Sequence, residues 1–518
     1  MMKNESLILR PYQSKGLEEI REHYSRGEKR VLLHLATGAG KTLLFSVMLK
    51  KVHEKDRKAL LVVRGRALVD QASQRLFREG VPHGVVMANH WNYRPKERIQ
   101  VCSIDTITRR GMKLEADMIV IDEAHMAASL SYRKLINQYP DAYFLSVTAT
   151  PYLKSGLRHL ADHVVYPISI EDLIANGYLV APRYFSFPTD VDLGDVEIDK
   201  KTGDYNQIQL GAAVNKSLTL CGDIVKHWFS HARDRPTIAF AVNVKHSKSI
   251  ANQFKDAGVC AEHMDADTPE DERRWILEGL RAGKIKVVSN VGILCTGVDI
   301  PEVTALIMAR PTKSKNLWIQ QVGRGTRIYP DKKNFIVLDH ASNVMQHGPI
   351  EDEEPCNLDG HGKPPKPKGT MIKCPKCFCT IDKKQYGLKC PGTVINDLGD
   401  EELCDYNFQE DDIKDDYNVK APILTSDNSK ILVEITNTKE FFSSRLRQDL
   451  DKLISIAIEK NYKPGYVWHR IKDTHGLSKA NSCRGEIHRR LGVFDKLKSD
   501  EVTKAFEKAI ENRLCRKT

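Results

Sequence analysis

Short apolar runs alternate with amphipathic stretches along the first two thirds of the chain. In the first half the runs are Val31–Leu35, Leu60–Val63, Ile99–Ser103, Met118–Ile121 and Tyr143–Val147. Near-continuous apolar runs of this length predict strands buried on both faces. Between them lie segments with helical periodicity, among them SKGLEEIREHYS, LLFSVMLKKV and Val69–Phe77. The second half repeats the rhythm with TIAFAV (237–242), IKVVSN (285–290), TALIMA (304–309) and NFIVLD (334–339). KSIANQFKDAG and PEDERRWILEGLRAG supply the helical segments there. Buried strands alternating with helices predict an α/β chain with a parallel sheet in each half.

Polar residues gather at the tips of these strands, where open α/β sheets bind ligands. After Val31–Leu35 comes the small-residue loop Ala36-Thr37-Gly38-Ala39-Gly40, then Lys41, Thr42 and a helical segment. Glycines let backbone N–H groups wrap a phosphate, and a helix N-terminus adds positive dipole. Lys41 is placed for the β/γ-phosphates and Thr42 for Mg²⁺. Leu35 stands where the strict pattern has its first glycine. Upstream, Gln13 has an amide suited to the edge of adenine, or to a surface cap. About eighty residues beyond the loop, Met118–Ile121 delivers Asp122-Glu123-Ala124-His125. Adjacent carboxylates there suit a Mg²⁺ site and a general base that orients water. Ser146, Thr148 and Thr150 mark the tip of the next strand, and Asp105, Thr106 and Arg109 a helix start. Arg64 and Arg66 end a strand as backbone-contacting or merely solvated charges. In the second half, NVGILCTGVDIPEV (290–303) and Gly323-Arg324-Gly325-Thr326-Arg327 stand out. Two fixed guanidinium groups suit a γ-phosphate, and equally a plain basic loop.

Composition adds bounds rather than chemistry. The 518 residues, 41% hydrophobic and 28% charged, fit three or four globular domains. A net charge of +11 leans weakly toward a polyanionic partner. No run approaches the ~18 apolar residues of a membrane span, and MMKNESLILRPYQ has no secretory core. Isolated cysteines in apolar runs, Cys102 and Cys295, fit a reducing compartment. The expectation is a cytoplasmic protein, phage- or bacterium-encoded, with no membrane partner.

Taken in order, LRPYQ, ATGAGKT, DEAH, SVTATP, CTGVDIP and QQVGRGTR resemble the superfamily-2 helicases. The nearest likeness is to the DEAH-signature branch with XPB-type, UvrW-like and RecG-like DNA translocases. It covers roughly residues 7–345, and the superfamily commonly writes the loop without that first glycine. The resemblance implies two RecA-like domains in tandem with ATP and Mg²⁺ between them. It implies that Arg10, Tyr12 and Gln13 hold adenine, and that Thr37, Gly38, Ala39, Gly40, Lys41 and Thr42 hold the phosphates. It implies Asp122 on magnesium with Thr42, Glu123 activating water, and His125 with Gln320 linking the two domains. Arg324 and Arg327 match arginine fingers, and Gly297 and Asp299 a motif touching ATP. Ser146, Thr148 and Thr150 resemble the coupling element. Arg64, Asp105, Thr106, Asn243 and Thr296 fall where such proteins meet the strand. The implied activity is ATP-dependent unwinding or translocation on single-stranded or forked DNA, 3′→5′. An RNA helicase and the motor subunit of a defence or restriction complex use the same engine. A catalytically dead scaffold conflicts with the intact set of Lys41, both acids and both arginines.

The expected division is residues 1–180 and 206–345 for the two domains, with linkers at 181–205 and 346–370. A zinc-ribbon-like subdomain follows at 371–410. Cys374-x-x-Cys377 is half of a tetrahedral zinc site, and Cys390 and Cys404 can complete it. Cys356, Cys379 and His361 are alternative ligands. Residues 411–518 read as mainly helical, with strand KILVEIT and helical periodicity at 445–460. Tyr462, Lys463, Tyr466, Trp468, His469, Arg470 and Lys472 interleave aromatics with positive charge. That suits nucleic-acid stacking, or the core of a small helical bundle.

Overall fold

The computed structural model describes residues 9–408, except 88, 128, 154, 188, 190, 200–201, 217–223, 296–297, 361–370, 383–388 and 397–399. The expectations for residues 411–518, Thr296, Gly297 and His361 lie outside the described residues.

The first sheet has seven strands: β1 Arg30–His34, β2 Ala59–Val63, β3 Gly84–Val86, β4 Ile99–Ser103, β5 Met118–Ile121, β6 Tyr143–Thr148 and β7 His163–Val165. Their order is β3-β4-β2-β5-β6-β1-β7, and every pairing is parallel. Strands β2, β4 and β5 are buried at every position, as the apolar runs require. Helix α1 (Pro11–Ser25) precedes β1, α2 (Lys41–Glu54) follows it, α3 (Arg66–Arg78) follows β2 and α4 (Ile104–Arg109) follows β4. Helix α4 has only six residues, so Asp105 and Thr106 open it, whereas Arg109 closes it.

The second sheet contains β8 Ala181–Ser186, β9 Thr237–Phe240, β10 Ala261–Met264, β11 Val287–Asn290, β12 Ala305–Met308 and β13 Asn334–Asp339. Their order is β10-β11-β9-β12-β13-β8, again all parallel. These are two RecA-like parallel-sheet domains in tandem.

Four strands of the two sheets escaped the apolar pattern, and all lie at edges: the three-residue β3 and β7 in the first sheet, β8 and β10 in the second. Strand β8, expected within a linker, carries Pro182 and Arg183 yet pairs with β13 along six residues. Proline is tolerated there because an edge strand bonds on one side. Strand β10, AEHM, keeps Glu262 and His263 half-buried.

Part of the second expected linker packs onto the first domain. Residues 350–358 run back onto the first domain, where Leu358 O accepts from Leu157 N–H (2.8 Å) and Arg158 N–H (2.9 Å). Glu353 and His34, both fully buried at their side chains, lie 3.0 Å apart. Cys356 and Leu358 join the first domain's core. Beyond it, β14 (Met371–Lys373) with β15 (Thr380–Asp382), and β16 (Thr393–Ile395) with β17 (Glu401–Leu403), form two antiparallel pairs. Among the described residues no helix is long and apolar enough to cross a membrane.

Candidate active site

In the first sheet β5, β6 and β1 are neighbours, so the residues after them meet at one rim. The loop after β1 turns through Gly38 and Gly40, at φ 85° and 86°. Gly40 is also a close approach, since a Cβ there would fall 2.4 Å from Gln13 Nε2. Gln13 Nε2 and the Tyr12 hydroxyl both donate to the Ala39 carbonyl, at 3.1 and 2.9 Å. The Arg10 guanidinium lies 4.8 Å over the Tyr178 ring, and Tyr12 packs 5.2 Å from it. Tyr178 sits far downstream of LRPYQ, and no local motif pointed to it.

Helix α2 opens at Lys41, and its first-turn N–H groups face the loop without partners within the helix. Lys41 Nζ reaches back to the Ala36 carbonyl at 3.5 Å. Burial pulls the Lys41 pKa down, opposed by Glu123 and Asp122 and assisted by Arg324 and Arg327. Charges from both domains therefore act on Lys41. Burial, then the neighbouring Glu123, pushes the Asp122 carboxyl up, and Lys41 opposes it. A buried carboxylate next to a second one, with the Thr42 hydroxyl adjoining Lys41, fits a divalent cation. Glu123 holds a left-handed conformation (φ 51°), a strain of about 1–3 kcal/mol for a non-glycine residue.

A hydrogen-bonded relay crosses from this rim to the second domain. Gln320 Nε2 donates to His125 Nε2 (2.9 Å) and to Thr150 Oγ1 (3.2 Å). That leaves the His125 proton on Nδ1, which faces Thr148 Oγ1 (3.2 Å), Thr150 Oγ1 (3.3 Å) and Glu123 Oε2 (3.4 Å). Burial lowers the His125 pKa, so the ring stays neutral. Asn316 clamps the same joint, accepting from Tyr152 N–H (3.0 Å) and donating to Tyr152 O (3.1 Å). Sequence reasoning missed Asn316, which lies outside the QQVGRGTR run.

The cleft is closed around the loop. A Cβ on Gly323 would sit 2.9 Å from Thr37 Cβ. Arg324 and Arg327 both donate to the Val298 carbonyl, at 2.7 and 2.9 Å, and Arg327 pairs with Asp299 at 2.9 Å. Arg324 Nε is buried without a hydrogen-bond partner, and burial lowers the Arg324 pKa to about 10. Incompletely paired buried cations around a glycine loop fit a polyphosphate.

Other expected residues divide. Burial pushes the Tyr132 hydroxyl up to about 12, and Arg64, Asp105 and Asp122 act on it as neighbouring charges. They share the rim with Thr106 in α4. The Ser146 hydroxyl is buried without a partner and stands outside the relay. Asn243 caps the helix Val244–Asp256 by accepting from His246 N–H at 2.8 Å. Asp299 is occupied by Arg327.

Known proteins resemble the chain. The family description "Type III restriction enzyme, res subunit" matches residues 6–153, and "Helicase conserved C-terminal domain" matches residues 218–329. A 51.5 kDa protein of Lactococcus phage (isolate 7-9) is 30% identical over 426 residues, covering 81% of this chain and 86% of that protein. The chain belongs to the superfamily-2 helicases. Another relative, the putative ATP-dependent helicase IRC3 of Saccharomyces cerevisiae, is 28% identical over 65% of this chain. The chain spans only 52% of that yeast protein. The fold is similar to the ATP-dependent Type ISP restriction-modification enzyme LlaBIII bound to DNA. There the TM-score is 0.50 with 19% identity, covering 64% of this chain and 28% of that one.

This superfamily-2 helicase carries a second built site. The sulfurs of Cys374, Cys377, Cys390 and Cys404 all lie within 4.8 Å of one another, and all four residues are buried. Cys374 and Cys404 Sγ are 3.8 Å apart, Cys377 and Cys390 Sγ 3.5 Å. A tetrahedron with Zn–S near 2.3 Å has edges of about 3.8 Å, so the donors fit zinc. Backbone N–H groups of Cys377 and Gly392 point at Cys374 and Cys390 Sγ, at 3.5 and 3.3 Å. Of the alternative ligands, Cys356 belongs to the first domain's core and Cys379 is not one of the four.

Proposed function

We propose that the chain is an ATP-dependent DNA helicase or translocase of replication, recombination or repair, moving 3′→5′. The Gln320–His125 hydrogen bond carries this reading, because it makes one nucleotide site a property of both domains. Gln13, with Arg10, Tyr12 and Tyr178 around it, takes the adenine. Lys41 and the first-turn N–H groups of α2 take the phosphates. Thr42 and Asp122 hold Mg²⁺, which supplies charge neutralisation on the phosphate oxygens. Glu123 orients the attacking water and accepts its proton. Arg324 and Arg327 leave Val298 and Asp299 to meet the charge that develops on the γ-phosphate. Loss of phosphate returns them, and the relay through Thr148 and Thr150 passes the change to the strand-contacting rim. Arg64, Asp105, Thr106, Asn243 and Thr296 grip the backbone, so binding weakens with salt. The XPB-type branch is the finer assignment we favour. The four cysteines hold a structural zinc ion.

ATP turnover without nucleic acid and with single-stranded DNA, duplex DNA or RNA tests this, beside unwinding of forked and tailed substrates. DNA should raise turnover at least about tenfold. Strong stimulation by RNA with none by any DNA would replace the reading with an RNA helicase. The restriction-type family match, and 23% identity to the Escherichia coli EcoKI endonuclease subunit, favour a second reading as a restriction motor. Co-purification with a nuclease or methyltransferase subunit would support it.

A further inference from the structure

The connection between β3 and β4 inverts the rule for which side chains face water. In His90-Trp91-Asn92-Tyr93 the polar residues are buried, at 6% and 4% exposure, while Trp91 and Tyr93 stand out at 70% and 59%. The polar pair is hydrogen-bonded inside. His90 Nδ1 accepts from Asn92 N–H (3.0 Å), so its proton sits on Nε2 and is donated to Asp70 Oδ1 (2.9 Å). Asn92 Nδ2 donates to His83 O (3.3 Å), and Val85 N–H donates to Asn92 O (2.9 Å). A Cβ on Gly84 would fall 2.2 Å from the Arg94 carbonyl oxygen, so the returning chain lies hard against β3. Gln100 Nε2 donates to the carbonyls of Arg94 and Glu97, both at 2.8 Å. The backbone is pinned at each step, and two aromatic rings are held outward.

The position of this ledge gives it a partner. Strand β3 is the edge of the sheet, next to β4 and β2, whose tips lead to Asp105, Thr106 and Arg64. Asp70, which holds His90, lies in α3 and pairs with Arg66 at 4.0 Å. The ledge is therefore tied to the segment that begins at Arg64. Arg64, Arg66, Arg94 and Lys96 are all exposed. Among the described residues, Arg64, Arg94 and Lys96 have no carboxylate within ion-pair distance. Exposed rings beside unpaired cations match bases on a phosphate backbone, since every base offers a π-face.

We propose that Trp91 and Tyr93 form a stacking platform for unpaired bases of single-stranded DNA, extending the strand path beyond Arg64, with Arg94 and Lys96 on the backbone. This rests on the helicase reading above. The test is binding of a dye-labelled dT₂₀ strand to the full chain, with the oligonucleotide's effect on tryptophan fluorescence and the salt dependence of affinity measured together. W91A/Y93A should weaken binding about ten- to a hundredfold with the salt slope unchanged. W91F/Y93F should restore affinity but lose most of the quenching. R94A/K96A should instead flatten the salt slope by about 1–2. F77A removes an equally exposed ring (72%) from the far end of α3 and should leave binding unaltered. Wild-type affinity in W91A/Y93A, or equal weakening in F77A, would overturn the platform. So would a fluorescence signal unaltered in W91F/Y93F. A wild-type chain that no DNA stimulates or binds would overturn the helicase reading itself.

Discussion

The two RecA-like domains have the same strand order over six positions, yet only one carries a phosphate loop. Strand β1 stands beside β6 as β8 stands beside β13, so β8 is the counterpart of the phosphate-loop strand. After β1 the chain enters small residues and then a helix N-terminus. After β8 it enters Phe187, whose ring stacks 3.7 Å from His227 and 4.6 Å from His340. Burial drives both histidines far below the usual range, to about 2 and about 3, so that stack stays neutral. The outer edge differs as well. Strand β1 bonds to β7, whereas β8 receives the cysteine subdomain, with Ser186 N–H donating to Phe378 O at 3.0 Å. Location in the sheet alone does not make a nucleotide site. The residues after the strand decide whether its tip receives a polyanion or a packed aromatic core.

Substitutions can break that comparison. Lys41→Ala should lower ATP turnover by about 10³-fold, because a buried phosphate loses its cation. Ser186→Ala, at the end of the counterpart strand, should stay within about twofold. Equal losses would mean that the second sheet shares the chemistry. Glu123→Gln should cut turnover by about 10²–10⁴-fold while ATP and DNA still bind, measured by single-turnover hydrolysis beside equilibrium binding. Near-normal turnover would remove Glu123 as the base. Stripping metal from the four cysteines should release one zinc per chain and lower the melting temperature by roughly 5 °C or more. Nucleotide affinity should hold within about threefold, because the loop that takes the phosphates follows β1 in the other sheet. Glu353→Ala should cost about 3 kcal/mol in denaturant unfolding, since it leaves His34 buried without its partner.

Legibility in the sequence followed burial and chain distance. Strands β4, β5 and β13 matched the apolar runs to the residue, because strands covered on both faces have little freedom in composition. Edge strands β8 and β10 are covered on fewer sides and tolerate Pro182, Glu262 and His263. Residues 351–358 looked like a linker because Glu351, Asp352, Glu353 and Glu354 are acidic. Their burial depends on His34, Tyr152, Tyr166 and Tyr184, each at least 160 positions away. Tyr178 and Asn316 were hidden for the same reason. Contacts that close a cleft are made by residues with no local pattern. The loop, the acidic pair and the arginines were legible because phosphate chemistry confines them to short runs.

A double-mutant cycle across the cleft asks whether both domains act on one nucleotide. ATP turnover with saturating DNA would be measured for Gln320→Ala, His125→Ala and the pair. The double variant should be no worse than the poorer single variant within about threefold, a coupling of about 0.5–3 kcal/mol. Losses that simply multiply would show two independent domains and contradict a shared nucleotide.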